Sequence, residues 1–344
     1  MRLEHTILTS AGQTWPPFVL VTGLLLIGAV ASADGLFEAL GARLAHARLG
    51  ARGLLLALLG LVAAVTAVLN LDTSVVFLTP VLVHAARRRS LDERPFLYGS
   101  VFMANAASLL LPGFNLTNLL VLRTDPQSSV AFAARMLPAW IAACAITAAF
   151  VVLAFGLGDS DRADAETPPL RVGVGAVATL ATAVLVVALK NPAIPVLVVG
   201  LAATALRRLR PHVDVRLLAT LFVVAVGLGA GARLWHGPAQ LLDSSGMWAT
   251  AGVGAIASVL FNNLPAAVLL SAQPTAHPSA LLLGLDIGPN LAFTGSLSAV
   301  LWLQAARALG AHASLRDYSR LGVVLVPATL ALTLAALVVE QTGI

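Results

Sequence analysis

Apolar runs, each about long enough to cross a lipid bilayer, occupy most of this 344-residue chain. A crossing helix needs about 20 apolar residues. Eight runs are predicted to cross: 17–34, 97–122, 130–157, 171–189, 193–206, 216–235, 279–309 and 320–340. Charged residues make up 11% of the sequence, against about 25% in soluble domains, which is too few to cover a surface in water. We therefore predict an all-α polytopic membrane protein, which excludes secreted, nuclear and cytosolic enzymes.

Two further apolar stretches, 53–86 and 246–273, are interrupted by polar residues near their middle. The interruptions are Asn-Leu-Asp-Thr-Ser at 70–74 and Asn-Asn at 262–263. Each half is expected to be too short to cross alone. Irregular backbone at membrane depth is tolerated only where it is buried in protein or lines a cavity. Both stretches are therefore predicted to be re-entrant hairpins.

The basic residues predict which side each hairpin enters from. Arginines flank 53–86 at both ends, and neither flank of 246–273 is basic. Because cytoplasmic loops carry an excess of lysine and arginine, the first hairpin is expected to enter from the cytoplasm and the second from outside. This topology predicts a multi-pass plasma-membrane protein with both termini outside. It places all but five of the 21 basic residues inside, the exceptions being Arg2, Arg123, Arg135, Lys190 and Arg233.

The chain is predicted to consist of two related halves. A hydrophilic segment, 158–169, is expected to be a cytoplasmic linker between 1–157 and 170–344. The Val/Ala pattern of 62–72 matches that of 253–263, which sets Leu71 opposite Asn262 and Asp72 opposite Asn263. Asn105 precedes Asn115 by ten residues, as Asp286 precedes Ser296. With hairpins opening to opposite sides, this pattern predicts an inverted repeat with discontinuous helices and a substrate site at the midplane, as in many secondary transporters.

Two acidic residues, Asp72 and Asp286, lie deep within apolar stretches. A charged Asp at the bilayer centre costs roughly 2.5–3.5 kcal/mol on insertion scales, so such a residue is first interpreted as functional. The alternative, that each one only caps a half-helix, stays open. Because loss of hydration favours the neutral form of a carboxyl group, both residues are candidate proton carriers.

Seven asparagines cluster at the four polar breaks, and they predict a polar cavity without fixed charge. Amides supply donors and acceptors, which suits a neutral polyol-like or weakly anionic solute. The alternative is that they only satisfy broken backbone, and serine and threonine are weaker candidates because they also bond helix carbonyls. No catalytic residue, metal ligand, cofactor or nucleic-acid contact is expected. The predicted solute- and ion-binding residues are Asn70, Asp72, Thr73, Ser74, Asn105, Ser108, Asn115, Thr117, Asn118, Asn262, Asn263, Asp286, Asn290, Thr294 and Ser296.

Four segments that carry these residues resemble signatures of the arsenical pump membrane protein family, which belongs to the ion transporter superfamily. They are residues 69–88, 102–120, 258–270 and 285–303, within a similarity that runs from about 15 to about 339. The resemblance implies arsenite and antimonite efflux, by proton exchange or with a separate soluble ATPase subunit. It also implies a scaffold and a transport part that holds two re-entrant hairpins.

The resemblance carries over to single residues, with three departures. The family has Asn where this chain has Leu71, Asp where it has Asn105, and Lys where it has Asn290. Losing an Asp and a Lys together leaves the local charge unchanged, which is consistent with an ion pair between that Asp and Lys in the family. The resemblance also implies that the first one or two spans of longer members have no counterpart in this sequence, so dimerisation is left open. The matching positions are Asp72, Asn115, Asn118, Asn262, Asn263, Pro265, Asp286 and Ser296.

Three other functions stay open. A sodium- or proton-coupled carrier of dicarboxylate or oxyanion would need a Ser-Asn-Thr tip or buried positive charge, and the breaks contain neither. A sodium/proton antiporter could use Asp72, Asp286 and asparagine carbonyls. A non-transporting scaffold would have no use for costly polar breaks. The expected partners are a small inorganic solute, a proton or sodium as coupling ion, and the lipid bilayer, with a homodimer and a soluble ATPase subunit left open.

Overall fold

The computed structural model describes residues 2–123, 127–157, 173–189, 191–210, 215–235 and 237–342. The linker predicted at 158–169 lies outside these residues. The described part before the linker forms α1 (Arg2–Ala33), α2 (Leu36–His46), α3 (Ala51–Val68), α4 (Leu71–Arg88), α5 (Arg94–Ala107), α6 (Leu116–Leu122) and α7 (Ser129–Phe155). The described part after it forms α8 (Val174–Ala188), α9 (Ala193–Leu206), α10 (Val215–Leu234), α11 (Gly237–Asp243), α12 (Met247–Phe261), α13 (Asn263–Leu270), α14 (Pro278–Ile287), α15 (Leu297–Ala308) and α16 (Leu315–Thr342).

The all-helical prediction and both discontinuous helices are confirmed. The run 97–122 is two helices, α5 and α6, separated by a short 3₁₀ turn at Pro112–Phe114. The run 279–309 is likewise α14 and α15, separated by two 3₁₀ turns. One boundary was wrong, because the first helix begins at Arg2 rather than near residue 17 and continues through two prolines.

Four described helices are long and apolar enough to cross a membrane by length and composition: Ile7–Ala33, Ala51–Val68, Ser129–Phe155 and Leu315–Val339. The second of these is α3, so the expectation that each hairpin half is too short to cross alone was wrong for the first hairpin. Its 18 residues extend about 27 Å at 1.5 Å per residue. The packing of α3 on α4, rather than the length of α3, makes it one arm of a hairpin.

The two hairpins, α3–α4 and α12–α13, open toward opposite faces of the molecule. At the open end of the first, Arg52 Nε donates to Leu157 O at 2.9 Å, and Arg87 donates to Leu309 O. At the open end of the second, Ser271 Oγ donates to Leu120 O at 3.3 Å. Because α5 and α6 run from the first face to the second, the hairpins enter from opposite sides and the repeat is inverted.

Helices α8, α9 and α10 pack around α1. Asp34, at the end of α1, is buried; it pairs with Arg207 at 2.6 Å and accepts from the backbone N–H of Gly175 at 2.7 Å. Its carboxylate therefore joins α1 to the start of α8 and the end of α9. Apolar side chains on the outer surface, such as Leu153 and Leu206, are 80% and 74% exposed, as expected of helices in contact with lipid acyl chains.

Candidate functional site

Four helix amino ends meet at the centre of the molecule, and each is capped by a polar side chain of the predicted site. Asn70 caps α4 by accepting from Thr73 N at 2.6 Å, and Asn115 caps α6 by accepting from Thr117 N at 2.9 Å. In the second half, Asn262 accepts from Leu264 N at 3.3 Å and Ser296 accepts from Ala299 N at 3.2 Å. Asparagine and serine are preferred caps because their oxygens satisfy the free N–H groups of the first turn.

These four caps line one cavity of about 40 Å³ between the hairpin tips and the helix breaks. Val21, in the middle of α1, also lines it, so the cavity lies at half the height of that helix. Among the described residues that line it, none is lysine or arginine, and Asp72 is the acidic one. Helix amino ends carry a partial positive charge. The cavity therefore offers dipoles, amides and hydroxyls to a small solute.

The caps also correct the alignment of the two hairpins by one residue. The sequence match set Asn262 opposite Leu71, but the residue that performs the same capping role is Asn70. The first tip has two residues between its helices and the second has one, Asn262, whose φ of 72° and ψ of 147° are unusual for a residue with a side chain. The ten-residue spacing is preserved, because Asn115 and Ser296 both cap the helix after the break.

A buried polar network lies behind the cavity wall. Asn105 Nδ2 donates to Asn290 Oδ1 at 2.7 Å, so the two positions that depart from the arsenical pump family are in contact. Ser298 Oγ donates to the side-chain oxygen of Asn105, Oδ1, at 3.4 Å. The hydroxyl groups of Ser298 and Ser296 also share a 2.7 Å hydrogen bond. This network links α5 to the break between α14 and α15 and to the start of α15.

Asp286 lies behind the wall rather than in the cavity. It is 1% exposed, and its Oδ1 accepts from Asn115 Nδ2 at 3.0 Å. The same Nδ2 donates to Ser108 Oγ at 3.0 Å, and Asn118 Nδ2 donates to Ser108 O at 2.9 Å. Asn115 therefore connects the cavity to the buried carboxyl group, and Asp72 is the candidate proton carrier that faces the cavity directly.

The amino end of α4 carries several buried polar atoms that have no hydrogen-bond partner in the described part of the chain. They are Asn70 Nδ2, Thr73 Oγ1 and Ser74 Oγ, with Thr66 Oγ1 on the facing helix α3. Buried polar groups are normally paired. This tip therefore has unused hydrogen-bonding capacity next to the cavity.

The predicted residues separate into three sets by position. Seven line the cavity: Asn70, Asp72, Asn115, Thr117, Asn262, Asn263 and Ser296. Seven are buried outside the cavity lining: Thr73, Ser74, Asn105, Ser108, Asn118, Asp286 and Asn290. Thr294 is exposed at the rim, where its carbonyl accepts from Asn262 Nδ2 at 3.2 Å.

One cavity-lining polar residue, Ser298, was missed by the sequence reasoning. It follows Ser296 by two residues, in the Ser-Leu-Ser sequence where the break ends and α15 begins. The signal was a second hydroxyl in the first turn of α15. Serine there is also common for purely local reasons, so sequence alone does not separate the two.

Two hairpins that open to opposite faces, with capped helix breaks around a central cavity, define a secondary transporter. A family model described as citrate transporter (CitMHS) matches residues 3–288, most of the chain. The chain belongs to this citrate transporter family, within the ion transporter superfamily.

The proteins that are similar to this chain include a silicon efflux transporter and a transporter of known structure. The silicon efflux transporter LSI3 of Oryza sativa subsp. japonica is 30% identical over 131 residues, which are 38% of this chain and 27% of that protein. The match thus spans only about a quarter of the relative's length. The crystal structure of the Alcanivorax borkumensis YdaH transporter aligns with a TM-score of 0.55 and 14% identity, covering 98% of this chain and 88% of that one. At this identity the likeness concerns the fold alone.

Proposed function

We propose that the protein exports a small neutral metalloid hydroxide, such as arsenite or antimonite, in exchange for protons. The observation that carries the proposal is the cavity wall, in which amides, hydroxyls and helix amino ends surround Asp72 without a lysine or arginine among the described lining residues. Arsenite at neutral pH is largely the uncharged trihydroxide, which needs hydrogen-bond donors and acceptors rather than a counter-charge. The similarity to a silicon efflux transporter supports the same chemistry, because dissolved silicon is also a neutral hydroxide.

Two carboxyl groups are the proposed proton carriers. Asp72 lines the cavity that would hold the solute. Asp286 lies behind the cavity wall, where it accepts a hydrogen bond from the cavity-lining residue Asn115. A proton that enters down a membrane potential of 100 mV releases about 2.3 kcal/mol, which can drive export. The proposed location is the plasma membrane, with both termini outside. A homodimer and a soluble ATPase subunit remain compatible with this mechanism.

A second candidate function is sodium- or proton-coupled transport of a carboxylate or oxyanion. The citrate transporter description of the family favours it, and so do the four helix amino ends, whose dipoles attract anions. The hydroxyls at the tip of the first hairpin that have no partner among the described residues would offer oxygen ligands to sodium as the coupling ion. A sodium/proton antiporter would use the same atoms without a separate solute.

Transport by purified protein in proteoliposomes tests the proposal. Arsenite, antimonite, silicic acid, citrate and succinate are compared under an imposed pH gradient, with and without sodium. We expect gradient-driven movement of the neutral hydroxides without sodium, and its loss in Asp72→Asn and Asp286→Asn. The matched control is Asp92→Asn, because Asp92 pairs with Arg94 in the loop before α5, away from the cavity. Sodium-dependent movement of citrate or succinate alone would replace the proposal with the second candidate.

A further inference from the structure

Two buried oxygen atoms beside Ser108 lack a hydrogen-bond donor in the part of the chain that the structure describes. They are Oδ2 of Asp286 and Oδ1 of Asn118, on side chains that are 1% and 0% exposed. A buried acceptor left without a donor costs free energy, and native proteins rarely leave one. Two such oxygens in one hydrogen-bonded cluster call for a donor, and a proton on the carboxyl group would supply one.

The hydrogen bonds around Ser108 fix which oxygens are left over. Asn118 Nδ2 donates to the backbone carbonyl of Ser108 at 2.9 Å, and a carbonyl can only accept, so this amide cannot be turned around. Asn115 Nδ2 donates both to Ser108 Oγ and to Asp286 Oδ1, each at 3.0 Å. Asn118 is thus bonded to Ser108 at the end of α5, and Asp286 is connected to Ser108 through Asn115, while one oxygen of each has no donor in the described part of the chain.

We propose that the proton carried by Asp286 resides on its Oδ2 and is held by donation to Asn118 Oδ1. This inference rests on the proposed proton exchange. The carboxylate takes one proton from water on one side of the membrane, an O–H bond forms, and the same bond breaks when the proton leaves to the other side. In the ionised state both oxygens are acceptors and repel each other. In the neutral state the O–H group on Asp286 Oδ2 donates to Asn118 Oδ1, so neither oxygen is left without a hydrogen-bond partner.

Asn118 is therefore a positioning residue for the proton, and Asn115 connects that proton to the solute. Asn115 lines the cavity, caps α6 and donates to Asp286. A solute that draws the Asn115 amide toward itself changes the hydrogen bond that this amide donates to the Asp286 carboxylate. The solute and the proton on Oδ2 are therefore coupled through the Asn115 amide.

Other titratable groups also lie on the helices packed against α14. Tyr318 of α16 donates to Pro289 O at 3.1 Å, and Tyr98 of α5 donates to Ser314 O at 3.2 Å. Arg94 pairs with Asp92 at 2.7 Å, and Asp317 lies 3.9 Å from Arg320 at the start of α16. Arg316 is also at that end, and Arg123, beyond α6, donates to Ser271 O. None of the side-chain hydrogen bonds or ion pairs described for these groups reaches Asp286.

Infrared difference spectroscopy of the purified full chain during a pH titration tests this arrangement. The C=O stretching band of the protonated carboxylic acid is assigned by its loss in Asp286→Asn. We expect Asn118→Leu to lower the pH at which the band appears by about one unit and to raise its frequency, because the acid loses its acceptor. The matched control is Asn290→Leu, because the Asn290 oxygen already accepts from Asn105 and should leave the band in place.

The proposal is overturned if Asn118→Leu leaves the band unmoved, if Asn290→Leu moves it equally, or if Asp286 gives no band. If the leucine variant does not fold, Asn118→Ala is measured in the same way. Proton-driven flux in the same preparations separates this inference from the proposed function. A band that depends on Asn118 without any flux supports the proton site and overturns the export proposal, whereas flux with a band independent of Asn118 does the reverse.

Discussion

Asn105 and Asn290, 185 positions apart in the chain, are joined by a 2.7 Å hydrogen bond between two buried amides. The bond connects α5 to the break between α14 and α15, and so it crosses the two halves of the repeat. These are the two positions at which the arsenical pump family has an Asp and a Lys. The contact is consistent with an ion pair between that Asp and Lys in the family.

Restoring the charges one at a time should therefore be far more damaging than restoring both. Asn105→Asp or Asn290→Lys alone leaves a buried charge without a counter-charge, at a cost of about 3–5 kcal/mol. In the double variant each charge has its partner, and we expect a favourable coupling of about 0.5–3 kcal/mol. Thermal unfolding of the four proteins in detergent measures this coupling. Strictly additive effects would contradict the direct pairing.

The cap at Ser296 should matter for transport beyond its effect on helix stability. Ser296→Ala and Ser128→Ala each remove a serine that caps a helix, at 3.2 Å and 3.1 Å from its N–H partner. Each should cost about 0.5–2 kcal/mol of stability. Only Ser296 lines the cavity, so only its substitution should weaken solute binding. Solute-dependent thermal stabilisation of both variants measures this, and equal weakening would rule out a direct role for Ser296.

The contact between α1 and α9 depends on glycine. A Cβ at Gly23 would lie 2.8 Å from Leu197 N, whereas one at Gly12, in the same helix, meets nothing within 4 Å. We expect Gly23→Ala to destabilise the protein by about 1–3 kcal/mol, because the two backbones must move apart. Gly12→Ala should be neutral or slightly stabilising, since alanine favours helix more than glycine does. Melting temperatures of the two variants compare them, and a tolerated Gly23→Ala would argue against the close packing.

The opposite entry of the two hairpins can be tested by chemical labelling. Ser90 follows α4 at the open end of the first hairpin, and Ser244 precedes α12 at the open end of the second, and both are exposed. In a Cys144→Ala background, which removes the one native cysteine, each is replaced by cysteine. A membrane-impermeant thiol reagent applied to intact cells should label Ser244→Cys and reach Ser90→Cys only after lysis. Labelling of both from one side would contradict the inverted arrangement.

Much of the architecture followed from the sequence because membranes restrict the choice of structure. An apolar run with a polar break in the middle has few solutions in lipid, since its free backbone groups must be satisfied inside the protein. Residues 70–74 and 262–263 therefore predicted both hairpin tips. Length was a weaker guide, because α3 is long enough to cross alone, and the one-residue error at the second tip arose because composition does not fix register.

The local capping roles of Asn70, Asn115, Asn262 and Ser296 were within reach of the sequence, because a cap bonds to N–H groups two or three residues away. The partners of the network were not. The hydrogen bond from Asn115 to Asp286 spans 171 positions, and nothing in either segment specifies the other. The sequence by itself determined which polar groups had to be buried. Only the tertiary structure decided that Asp72 faces the cavity and Asp286 lies behind its wall, because that depends on how two distant helix breaks pack against each other.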